Sequence, residues 1–95
     1  MGEGTARRLL AQNLRVMRLL RGWSQEALAE AAGLDRSYVG DIERAERNVS
    51  LDCLERLARA FGVSVPELLH EPDPTALGEQ LLSAMRRTIA GDGQP

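Results

Sequence analysis

Lysine is absent from this chain, and cysteine, tryptophan, tyrosine and phenylalanine each occur once in 95 residues. A single Cys53 excludes an internal disulfide and any multi-cysteine zinc site, and a lone cysteine within a helical pattern reads as a small core residue. No apolar run exceeds three residues, so no segment is long enough to span a bilayer. Met1-Gly2-Glu3-Gly4 lacks the basic-then-apolar layout of a secretory signal, and the expected compartment is the cytoplasm. His70 has no second ligand at metal spacing and no nucleophile beside it; it reads as a surface histidine near a helix C-terminus, and neither a metal nor another cofactor is expected. No paired carboxylates in a cleft, Gly-rich phosphate loop or nucleophile-base set can be assembled, which argues against an enzyme.

The twelve basic residues are all Arg. Arg suits bidentate contact with phosphate and guanine, but a bias this complete points to codon composition more than to chemistry. The net charge of −2 conceals a division: positions 5–62 carry ten Arg against eight acids, and positions 63–95 carry two Arg against five acids. A mildly basic body followed by an acidic end is compatible with a surface that faces a polyanion and a tail that faces elsewhere.

Sparse β-branched and aromatic residues, with Leu, Ala, Arg and Glu in excess, favour an all-α fold. One layout recurs at helix starts: an apolar residue, a Ser or Asp cap, three more residues, then an apolar residue that closes back on the first. Trp23-Ser24 with Leu28, Leu34-Asp35 with Val39, Val49-Ser50 with Leu54, and Val63-Ser64 with Leu68 all fit, and Ser64-Val65-Pro66-Glu67 adds a capping box. These signals predict helices over 5–21, 24–32, 35–45, 50–61 and 64–69, with Gly22, Gly33 and Gly62 placed for left-handed C-caps. Leu54, Leu57, Ala58 and Phe61 form one core stripe, faced by Leu28, Ala29, Ala32, Leu34, Val39 and Ile42. The first helix has two apolar stripes, Leu10/Leu14/Met17 and Leu9/Val16/Leu20; the second either receives a further helix or is a half-exposed face.

Asp73-Pro74 restarts a helix, and Leu77, Leu81, Leu82, Met85 and Ile89 recur at helical spacing up to Gly91. The division expected is a body over 5–71, a helical extension over 72–90 that could serve dimerisation, and a disordered tail over 91–95. One domain of this size is near the lower limit for a self-sufficient core, which dimerisation would ease.

Between the second and third helices Gly33 permits a tight reversal, and Ala29 is small where the two must approach, as in a helix-turn-helix. Over positions 10–69, through "RLLRGWSQEALAEAAGL", "YVGDIERAERN" and "LERLARAFGVSVPELL", the chain resembles the helix-turn-helix domains of phage-repressor-like regulators, the XRE family that includes the lambda repressor, Cro-type proteins and many small bacterial transcription factors. The stretch "DIERAERNVSLDCLERLARAFGV" is similar to that of small controller proteins of restriction-modification systems.

The resemblance implies a five-helix lambda-repressor-like fold, with the sixth helix added, whose third helix lies in the major groove of double-stranded DNA. Arg36, Ser37, Gly40 and Asp41 then face base edges: Arg36 can pair with guanine, Ser37 can donate or accept, and Asp41 can accept from a cytosine amino group. At Gly40 two readings stand, a close approach to DNA and close packing against the preceding helix. Gln25, Arg44, Arg47 and Asn48 are the matching candidates for phosphate. Arg18 and Glu43 match a partly buried ion pair between the first and third helices. Ala45 stands where the family often has Gly, which leaves the following turn open. The function implied is a sequence-specific transcriptional regulator acting as a homodimer on a palindromic operator, with Leu68, Leu69, Leu77, Leu81 and Met85 at the dimer interface. The rival is an antitoxin or partner-binding protein of the same fold, docking a protein through the C-terminal extension, with DNA binding secondary.

Overall fold

The four caps set the frame of the molecule. In the computed structural model, which describes residues 4–71, 79 and 82–86, Ser24, Asp35, Ser50 and Ser64 are the N-cap residues of the second to fifth helices. The elements are α1 (Thr5–Leu20), α2 (Gln25–Ala32), α3 (Arg36–Glu43), α4 (Leu51–Phe61) and α5 (Val65–Leu68), and no strand occurs among the described residues. The sequence expectation of an all-α fold holds, and residues 82–86, inside the expected sixth helix, are helical.

Each serine cap works as its residue type requires. Ser24 Oγ accepts from the Ala27 amide at 3.0 Å and Ser50 Oγ from the Cys53 amide at 3.0 Å. Ser64 Oγ accepts from the Glu67 amide while Glu67 Oε1 accepts from the Ser64 amide at 3.1 Å, completing the capping box. The backbone and hydroxyl of Ser64 stabilise the charged form of Glu67 and lower its pKa. That contribution is therefore present above the ordinary carboxylate range and disappears as pH falls through the lowered value. Asp35 departs from expectation: it occupies the cap position of α3 but its side chain accepts no amide. The start of α3 is held by packing of Leu34 and Val39 against the core.

α1 packs on α3 and α5, α2 on α3 and α4, and α4 on α5. The core between them is the pair of stripes read from the sequence. Leu14, Leu28, Val39, Leu57 and Leu68 are wholly inaccessible and Phe61 is 2% exposed, each contributing about 1.5–3 kcal/mol by leaving water. Leu10 and Leu14 of the first α1 stripe are buried with Met17 packed beside them, while Leu9, Val16 and Leu20 are half-buried. Leu68 corrects the expected dimer interface. The α4–α5 turn drives it into the chain's own core, so it has no surface to offer a second copy. Leu69 is half-buried against that core, Met85 is 61% exposed, and Leu77 and Leu81 lie outside the described residues.

Three long-range bonds from two polar side chains close the body. Asn13, buried in α1, donates to the carbonyls of Leu68 at 2.7 Å and His70 at 2.9 Å, satisfying the end of α5. Arg21 donates to the Phe61 carbonyl at 2.5 Å and lies over both Trp23 and Phe61, whose rings stack with centroids 5.4 Å apart.

α3 ends at Glu43, two residues before expectation, because Ala45 turns left-handed at φ 61°. Its amide and that of Glu46 return to the carbonyls of Ile42 and Asp41. This is the position where glycine was the family expectation, and the turn survives with an alanine. A left-handed L-residue costs roughly 1–2 kcal/mol, and glycine's extra unfolded-state freedom returns about 0.4–1 kcal/mol of that. Ala45→Gly is therefore expected to raise the urea midpoint by an amount equivalent to about 0.5–1 kcal/mol; a lower midpoint would show that the turn is not strained.

Candidate nucleic-acid interface

Glu43, at the last turn of α3, is 3% exposed. A carboxylate so placed must be paired, and Arg18 from α1 supplies two parallel bonds, Nε to Oε2 at 2.8 Å and Nη2 to Oε1 at 3.1 Å. The same guanidinium donates through Nη1 to the Trp23 carbonyl at 2.8 Å, just before the cap of α2. Gln25 Nε2, on the first residue of α2, adds a bond to Glu43 Oε1 at 3.2 Å. One buried carboxylate thus joins the end of α1, the start of α2 and the end of α3. No buried side-chain N or O among the described residues lacks a partner.

α3 held in this way turns Val39 and Ile42 inward and leaves Arg36 and Ser37 exposed at its N-terminal end. Arg36 lies 3.8 Å from Glu26, with side-chain exposures of 63% and 78%, a pair weak enough to yield to a base. Asp41 is half-buried; its Oδ1 accepts from Arg44 at 2.5 Å and its Oδ2 from Arg47 at 3.0 Å. Each oxygen keeps a second lone pair. Arg44 also donates to Glu46 at 2.7 Å, and Arg47 lies over the Tyr38 ring at 5.2 Å. Asn48 is exposed in the segment that follows.

Gly40 is buried, and a Cβ there would meet Arg44 Nη1 at 3.2 Å and Gln25 Oε1 at 3.7 Å. Both atoms end flexible side chains, and the absent side chain gives them room to lie over α3, in line with the close-packing reading. Gln25, by contrast, spends one amide hydrogen on Glu43 and keeps another. It stands beside the α2 cap, where the helix end favours an anion.

Burial raises the pKa of both Cys53 and Tyr38, so both are neutral. Among the described residues no cluster of His, Cys, Asp and Glu could hold a metal, and no helix is long and apolar enough to cross a membrane. Sequence reasoning does not reach Asn13 or Arg56, which donates to the Gly33 carbonyl at 3.2 Å and ties α4 to the turn of the motif. The one available signal for Asn13 is a polar residue set three after Leu10 and four before Met17, inside an apolar stripe.

Comparison with known proteins agrees with this geometry. The family model described as Helix-turn-helix matches residues 14–68. A Neisseria meningitidis protein described as a hypothetical transcription factor is 46% identical over 70 residues, covering 74% of this chain and 66% of that relative. Control protein C.SmaI of Serratia marcescens is 52% identical over 61 residues, 64% of this chain and 73% of the relative. Among solved structures, the restriction-modification controller protein C.AhdI of Aeromonas hydrophila superposes with a TM-score of 0.63 at 48% identity, over 65% of this chain and 94% of that one.

The buried network gives a direct test. Glu43→Ala would strand the Arg18 guanidinium and is expected to cost about 3–5 kcal/mol in chemical unfolding. A loss below about 1 kcal/mol would mean that water screens the pair.

Proposed function

The chain belongs to the helix-turn-helix family of DNA-binding transcriptional regulators, not enzymes, and on that premise we propose that it binds a palindromic operator as a homodimer in the cytoplasm. The observation that carries the reading is the exposed Arg36–Ser37 end of α3, held at fixed orientation by the bidentate Arg18–Glu43 pair. Arg36 reads guanine, Ser37 a neighbouring base and Asp41 a cytosine amino group. Gln25, Arg44, Arg47 and Asn48 hold the backbone on either side, without base preference.

One recognition helix covers only a few base pairs, so two related by a twofold axis would engage half-sites about 34 Å apart or a multiple of it. The body over 5–71 supplies DNA contact and the extension over 72–90 supplies dimerisation through Leu77, Leu81 and Met85, with Leu69 beside them. The exposure of Leu82 and Met85, 52% and 61%, supports an apolar face that needs cover. Selection of bound fragments from random duplex DNA, followed by footprinting, tests the whole reading. A palindromic site is expected; a chain that enriches no sequence would favour the protein-binding alternative.

Arg36→Ala is expected to relax preference at one position of each half-site by about 1–3 kcal/mol, seen as a flattened base distribution in the same selection; unchanged selectivity would place Arg36 outside the groove. Gln25→Ala should weaken all duplexes alike, and a loss confined to one sequence would contradict a phosphate role.

A further inference from the structure

Arg8 and Arg15 of α1 take no part in the surface described so far. A groove of about 340 Å³ runs between α1 and the end of α3, lined by Arg8, Ala11, Gln12 and Arg15 on one side and by Glu43 and Arg44 on the other. Glu43 contributes little charge there, because its carboxylate is buried against Arg18 and Gln25. The remaining polar lining is three arginines and an amide.

The groove continues the phosphate-facing strip. Arg44 lies against Gly40 together with Gln25, so a single guanidinium borders both the start of α2 and the α1 groove. Arg8, Gln12 and Arg15 follow at spacings of four and three, on one face of α1, and Arg8 to Arg15 spans about 10.5 Å along the axis. That length matches roughly three nucleotide steps of one strand. Arg15 enters no ion pair among the described residues, in contrast to Arg18, Arg36, Arg44 and Arg47. The helix itself is charged against its own dipole: α1 starts at Gly4 without a side-chain cap, has no acid in its first turn, and places Arg7 and Arg8 beside the positive end.

We propose that this groove carries the phosphodiester backbone of duplex DNA flanking the base-reading segment, with Arg8 and Arg15 on phosphates of one strand about three steps apart and Gln12 between them. The inference rests on the DNA-binding reading above and extends it: the contact surface reaches from α2 across Arg44 onto α1, and each half-site needs flanking duplex that no base contact reads.

The test uses the full chain and the duplex enriched from the random pool, prepared at the footprint length and lengthened on both sides by about half a helical turn, ~5 base pairs. The wild type is expected to bind the longer duplex more tightly. Arg8→Gln/Arg15→Gln should lose that gain, reduce the slope of log Kobs against log salt by about 0.9 per phosphate contact, hence nearly 2 per protomer, and leave the selected sequence unchanged. Arg8→Lys/Arg15→Lys, which retains charge, should keep the slope. Enrichment with an unchanged slope and unchanged flank dependence in the Gln variant overturns the groove assignment alone. A wild type that enriches no duplex overturns the DNA reading together with it. Competition of inorganic phosphate with the wild type for the groove at constant ionic strength, with no flank dependence, would assign the groove to a free anion and likewise reject the proposal.

Discussion

Glu43 is the only acidic side chain buried among the described residues, and the orientation of the recognition helix depends on how it is satisfied. Left unpaired, a carboxylate at that depth would cost several kcal/mol. Paired by Arg18 and Gln25 it becomes a junction, since Arg18 reaches α2 through the Trp23 carbonyl and Gln25 is the first residue of α2. The apolar contacts of Val39 and Ile42 hold α3 against the body but permit rotation and sliding. Directional bonds to a planar guanidinium do not. The pair therefore sets the direction in which Arg36 and Ser37 project.

The exposed side of α3 follows a different logic. Arg44 and Arg47 are both held by Asp41, and Arg44 also by Glu46. These are exposed pairs, each worth little by itself. Their effect is to hold two long side chains at the end of α3 while offsetting part of their charge. With a net charge of −2 overall, indiscriminate attraction to a polyanion is weak, and discrimination falls to groups that meet base edges. The glycine beneath this cluster is part of the same construction, because Gly40 gives Arg44 and Gln25 room to lie over the helix.

Much of the architecture was legible in the residues. Serine caps, glycine C-caps and apolar stripes are local patterns with local causes, and Ser24, Ser50 and Ser64 fulfil them by the bonds expected. The ion pair of Arg18 and Glu43 was legible only through family resemblance, since nothing local in either residue announces a partner 25 positions away. Asp35 shows the limit of the local argument: its residue type suits a cap and its position is the cap, yet the amides receive no bond from it. Leu68 shows another. Helical spacing marks it as apolar-facing but cannot distinguish the chain's own core from the surface of a second copy.

What the residues by themselves determined was where helices begin and which faces exclude water, because caps, turns and amphipathic spacing act over a few neighbours. What only the tertiary structure decided was which polar groups meet across the chain. Asn13 closes α5, Glu43 joins three helices, Gly40 lies under two side chains, and Ala45 accepts a strained turn to end the recognition helix. Each depends on the distance between elements remote in sequence, a quantity that exists only once the core has packed.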